Sequence, residues 1–72
     1  MATYRVTVFW NGRKSGATYV YDRPPGKDTI FESLKADHWV YDRDYDSFKI
    51  TDVDAFKDGN RDWALEERLL KG

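Results

Sequence analysis

Cysteine is absent from this 72-residue chain, so no disulfide can staple it and a structural zinc site would lack its commonest ligands. That pattern fits a reducing compartment. His38 is the single histidine, which excludes a two-histidine metal site within one chain. The five glycines are scattered, without the spacing that cradles a phosphate. No apolar run approaches membrane-spanning length, and Arg5 interrupts the first one, so neither a signal peptide nor a membrane span is read. The expectation is one cytoplasmic domain over residues 1–72, away from membranes and without a cofactor. It stands near the lower size limit for folding on a single core.

Aromatic residues and aspartate are plentiful instead. Trp10, Trp39 and Trp63 stand among five tyrosines and four phenylalanines, and large rings let a short chain bury enough apolar area. Exposed Trp and Tyr are also the usual anchors of protein interfaces. The net charge is −1, but residues 1–35 carry six basic and three acidic side chains, whereas residues 36–72 carry six basic and ten acidic ones. Such polarity suggests oriented association more than general affinity for nucleic acid.

Tyr4, Val6, Val8 and Trp10 alternate with Arg5, Thr7 and Phe9, the period of a half-buried strand. A basic, exposed tip over residues 11–16 leads to a second strand, 17–21, in which Ala17, Tyr19 and Tyr21 share a face. Pro24 and Pro25 stop it. Asp28 or Thr29 is expected to cap a helix whose buried stripe is Ile30, Phe31, Leu34 and His38. Trp39-Val40-Tyr41 reads equally as a last helical turn or a short strand. A third strand is expected over residues 48–51, with Phe48 and Ile50 inward and a bulge or bend near Asp52. Asn60 is expected to cap a last helix running to Lys71, with Leu65 and Leu69 on one side. The fold class is α+β: a three-stranded antiparallel sheet covered by one helix (ββαβ), with an added C-terminal helix.

Asp42-Arg43-Asp44-Tyr45-Asp46 opens like a calcium-binding loop. The sixth position, where glycine makes the turn, holds Ser47, and the twelfth, where a bidentate Glu belongs, holds Val53. A solvated acidic turn is the better reading. His38 has Asp37 and Asp42 nearby, but no serine or threonine is placed as its nucleophile, and the helix stripe accounts for it as a half-buried core residue. No catalytic constellation or metal site is read, and enzyme activity is not expected. Arg13 and Lys14 at the hairpin tip, beside the hairpin's rings, could touch phosphate and stack bases. The acidic half argues against a polyanion.

The YRVTVFW strand, the TYVYD return strand, the helix ending near HWVY and the FKITDV strand together resemble small phage-encoded host-takeover proteins. In layout they are similar to the short RNA polymerase inhibitors of podophages. The likeness spans residues 3–54. It implies a small non-enzymatic protein that docks on a larger host machine and blocks it. In that family the third strand ends in arginines that serve binding. Asp52 and Asp54 stand there in this chain, so that contact does not carry over, and the last helix is extra. The leading expectation is therefore an inhibitor of a nucleic-acid-handling host protein, docking on its basic surface. The interface would be an acidic and aromatic surface of Asp42, Asp44, Tyr45, Asp46, Asp52, Asp54 and Phe56. The alternative is a nucleic-acid-binding domain using the aromatic, basic-tipped hairpin. Arg13, Lys14 and Trp63 are the second set of candidate contacts.

Overall fold

The computed structural model describes residues 2–44 and 46–71, with Asp42 described by its backbone alone. In chain order the elements are β1 (Tyr4–Trp10), β2 (Ser15–Tyr21), α1 (Lys27–Ala36), a single 3-10 turn (Asp42–Asp44), β3 (Ile50–Lys57), β4 (Asn60–Arg61) and α2 (Trp63–Lys71). The strands form one antiparallel sheet in the order β2-β1-β3-β4. The architecture is α+β with a four-stranded open sheet. The three-stranded expectation gains a strand because Asp58 and Gly59, with φ of 51° and 85°, make a two-residue turn that pairs Lys57 with Asn60. This is the left-handed geometry that closes tight hairpins.

Alternation in β1 does what its sequence dictates. Tyr4, Val6, Val8 and Trp10 are buried, and they meet Val53 and Ala55 of β3, Ile30, Phe31 and Leu34 of α1, Val40, and Leu65 and Leu69 of α2 in one cluster. Both helices therefore lie on the same face of the sheet. Among the described residues, the opposite face carries no helix.

Several boundaries differ from the sequence reading, each for a local reason. The β1–β2 turn is four residues, Asn11–Lys14, and β2 starts at Ser15 rather than Ala17. Gly16 pairs with Phe9, and a Cβ at Gly16 would come within 2.8 Å of the Phe9 ring, so a glycine that reads as loop is required in the strand. Asn11, Gly12 and Arg13 take consecutive left-handed φ values of 58°, 65° and 70°. Thr51 holds this turn. Its hydroxyl accepts the Gly12 N–H at 2.9 Å and donates to the Phe9 carbonyl at 3.3 Å. Thr51 is also the extra residue of the bulge, since Asp52 pairs with Phe9 and Ile50 with Trp10. The third strand thus begins at Ile50 rather than Phe48 and continues to Lys57, well past the bulge.

Helix α1 starts after Gly26, with no side-chain cap from Asp28 or Thr29. It ends at Ala36, where the Trp39 N–H donates to the Leu34 carbonyl at 2.9 Å and the His38 N–H to the Lys35 carbonyl at 3.0 Å. This paired closure places His38 at the left-handed position that follows such a helix end, with φ of 64°. His38 is consequently exposed and outside the helix, not a half-buried core residue. The same reversal buries Val40, and Trp39-Val40-Tyr41 is neither helix nor strand. Asn60, taken up by β4, does not cap α2. Asp62 does: its Oδ1 accepts the Leu65 N–H at 3.0 Å and its carbonyl accepts the Glu66 N–H at 3.1 Å.

Candidate functional site

The uncovered face of the sheet is ordered by register. One row is Val20, Arg5, Phe56 and Arg61; the next is Thr18, Thr7 and Asp54; the third is Gly16, Phe9 and Asp52. Thr7 and Thr18 share a hydroxyl–hydroxyl hydrogen bond of 2.8 Å. Each arginine lies over a ring: Arg5 over Phe56 at 5.1 Å, Arg13 over Phe9 at 4.4 Å and Arg61 over Trp63 at 4.1 Å.

The same arginines take up the carboxylates. Arg13 reaches back from its turn to bond Asp52 through Nε and Asp54 through Nη2, the latter at 3.0 Å. Arg61 meets Asp54 at 3.4 Å and donates to Glu66 at 2.8 and 3.1 Å. The Arg13 hydrogen bond, helped by the Val53 N–H at 2.8 Å, holds the Asp52 carboxyl below its ordinary range. The expected interface therefore divides. Asp52, Asp54 and Phe56 share this face, but their charge is matched by Arg13 and Arg61. The two sets of candidates also merge here, because Arg13 and Trp63 belong to the same arginine–aromatic face. Lys14 stays exposed at the turn. Arg61 escapes a sequence reading, since only pairing through the Asp58-Gly59 turn brings it beside Phe56.

Asp42, Asp44 and Asp46 lie elsewhere, on the connection between α1 and β3. The Asp42 side chain and all of Tyr45 fall outside the described residues. The connection is folded by main-chain bonds: the Asp44 N–H donates to the Tyr41 carbonyl at 2.8 Å, and the Asp44 carbonyl accepts the Phe48 N–H at 2.7 Å. Val40, 2% exposed, plugs it into the core, which turns Trp39 and Tyr41 outward at 52% and 58% exposure. The inner edge of Trp39 rests on Trp10 with centroids 5.4 Å apart, and Phe48 packs on Trp10 at 5.2 Å. Asp46 is exposed and Asp44 half-buried. Among the described residues, Asp37, Asp44 and Asp46 form no ion pair. Residues 37–47 thus hold four aspartates against Arg43 alone, around two outward rings. Trp39 and Tyr41 are the members of this patch that sequence periodicity missed. The buried Val40 between them was the available signal.

Among the described residues, no three of His, Cys, Asp and Glu group to hold a metal ion, and no helix is long and apolar enough to cross a membrane. The chain matches no protein-family model, no curated protein and no solved structure.

Proposed function

We propose that this is a non-enzymatic binding module that docks on a basic protein surface through residues 37–47. The observation that carries it is the pair of outward rings, Trp39 and Tyr41, set among aspartates that form no ion pair within the described residues. Carboxylates steer and select a basic groove, and half-exposed rings supply anchors that lose water on contact. A basic groove with aromatic-tolerant walls is what a nucleic-acid-handling protein offers its own substrate. A partner of that class, blocked by competition, agrees with the layout likeness to phage host-takeover inhibitors. Asp52 and Asp54 are not placed in this interface, because Arg13 already neutralises them.

The test is association with immobilised nucleic-acid-handling host proteins across a salt series. Wild type should bind one of them quickly at low salt and displace its nucleic acid. Asp44→Lys with Asp46→Lys should slow association and reverse its salt dependence, and Trp39→Ala should speed dissociation. Equal association rates for the charge-reversed protein at every salt concentration would sink the proposal. A second reading is favoured by the three arginine–ring stacks on the open sheet face: single-stranded nucleic acid laid across it. Tight binding of a labelled oligonucleotide at near-physiological salt, abolished by Arg5→Ala, would replace the first reading with this one.

A further inference from the structure

The two edges of the sheet are finished in different ways. On the β3 side, β4 covers Phe56 and Lys57. Beyond it the Ala55 N–H is bonded by the Glu66 carboxylate at 3.0 Å, the Ala55 carbonyl by the Asp62 N–H at 2.9 Å, and the Val53 N–H by the Asp52 carboxylate at 2.8 Å. That edge is closed by side chains and by the start of α2. On the other side β2 is seven residues long, contains no charged residue and no proline, and pairs with β1 alone. Among the described residues none of its backbone groups is bonded elsewhere. Proteins ordinarily blunt an edge of that length with charge, proline or a bulge.

We infer that β2 is a self-association strand that pairs antiparallel with β2 of a second copy of this chain, about a two-fold axis at Thr18. The hydrogen-bonding parity supports that register. Ala55 turns its N–H and carbonyl away from β1, so Asp52, Asp54 and Phe56 turn theirs towards it. Through the β1 register, Ser15, Ala17, Tyr19 and Tyr21 then bond β1, and Gly16, Thr18 and Val20 face the open edge. A two-fold axis at Thr18 sets Thr18 opposite Thr18 and Gly16 opposite Val20, so the outward groups meet one another. The side chains fit in size as well: Tyr19 falls opposite Ala17 and Tyr21 opposite Ser15 on the inner face. On the outer face, Val20 falls opposite Gly16. Val20 is 63% exposed in the single chain, and its partner position carries no side chain of its own, only the edge of the Phe9 ring that lies over Gly16 and offers an apolar contact. Just past the strand ends, the same register sets Lys14 opposite Asp22, twice; both residues are exposed, and the Arg23 guanidinium that approaches Asp22 at 3.5 Å does so at the open surface, where such a pair is weak. The interface is isologous, so each copy supplies both halves, and it joins two four-stranded sheets into one.

Sedimentation of the whole chain over a concentration series reads this directly. Wild type should shift to twice the chain mass as concentration rises. Thr18→Pro removes an edge-facing donor and the Thr7–Thr18 hydroxyl bond but no main-chain bond of the β1–β2 ladder, and it should hold the protein at the single-chain mass with an unchanged circular dichroism spectrum. Lys14→Asp should weaken the dimer roughly fivefold or more, since it turns two attractive cross-strand pairs repulsive. Lys14→Asp combined with Asp22→Lys should restore it. If Thr18→Pro fails to fold, the charge exchange decides alone. A single-chain mass at every concentration overturns the inference, as does a dimer that survives Thr18→Pro or one that the charge exchange does not restore. Protection of β2 amides only when an unrelated extended peptide is added would assign the edge to a different chain and overturn it too.

Discussion

Glu66 sits where a carboxylate is costly unless its oxygens are used, and they are. At 7% exposure it accepts the Ala55 N–H and two Arg61 bonds. Glu66→Ala should destabilise the protein by about 1–3 kcal/mol, read from denaturant midpoints, because the Ala55 N–H is then left buried without an acceptor. Tyr19 is the opposite case. Its hydroxyl is buried without a hydrogen bond of good geometry among the described residues, and burial first, then a hydrogen-bonding approach of the Asp37 carboxylate, pushes its phenol up. Tyr21 is pushed up by burial too, although its bond to the Ser33 hydroxyl at 2.8 Å pulls the other way. A phenol raised in the folded state stabilises the protein fully below its ordinary value of about 10. That contribution drains away as pH climbs through the raised folded value. Midpoints measured on the alkaline side should fall accordingly. Tyr19→Phe should flatten that fall and leave stability at neutral pH unchanged or raised by up to about 1 kcal/mol.

Elements end where backbone geometry, more than side-chain pattern, tells them to. His38 occupies a left-handed position after α1, a conformation that glycine takes at little cost and other L-residues do not. The left-handed penalty of roughly 1–2 kcal/mol for an L-residue exceeds the roughly 0.5–1 kcal/mol that glycine loses in chain freedom, so His38→Gly should raise the thermal midpoint modestly. The position also shows where sequence reading stops. His38 lies four residues after Leu34, so periodicity enrols it in the buried stripe. Nothing in its identity announces that the helix closes two residues earlier and sends Val40 inward instead. β1 was legible throughout because its alternation is unbroken and its partners agree with it. The stripe Ile30, Phe31, Leu34 and the pair Leu65, Leu69 were legible for the same reason. Asn60-Arg61-Asp62 was not, since Asn and Asp both cap helices and the choice depends on whether the Asp58-Gly59 turn closes. The candidate interface was legible only as a list of residues. Its division came from Arg13, which lies 39 residues from Asp52 and whose reach depends on a turn of three left-handed residues.

At the scale of the molecule, one apolar layer lies between the sheet and both helices; β1, β3, α1 and α2 supply its buried residues together with Val40, and β2 packs against it through half-buried Ala17, Tyr19 and Tyr21. Stability should therefore be lost as a unit. Leu34→Ala removes a fully buried side chain from the middle of that layer and should cost on the order of 2–5 kcal/mol, much of what so small a domain possesses. Native-state hydrogen exchange should show amides of β1, β3 and α2 losing protection together in the variant. Loss confined to α1 would mean that the layer is two cores and not one.

The central place of β1 has a consequence in time. Its neighbour β2 follows after a four-residue turn, whereas Tyr4 must find Lys57 across more than fifty residues. Closing the short loop costs far less chain entropy than closing the long one, and pairings between distant residues set the pace of folding. The β1–β2 hairpin should be present when the rate-limiting barrier is crossed, with β3 docking at or after it. In stopped-flow measurements at concentrations where the chain is single, Ala17→Gly in β2, which packs against the core, should then change the refolding rate by a larger share of its equilibrium effect than Val53→Ala. The Val53 substitution should instead act chiefly by hastening unfolding.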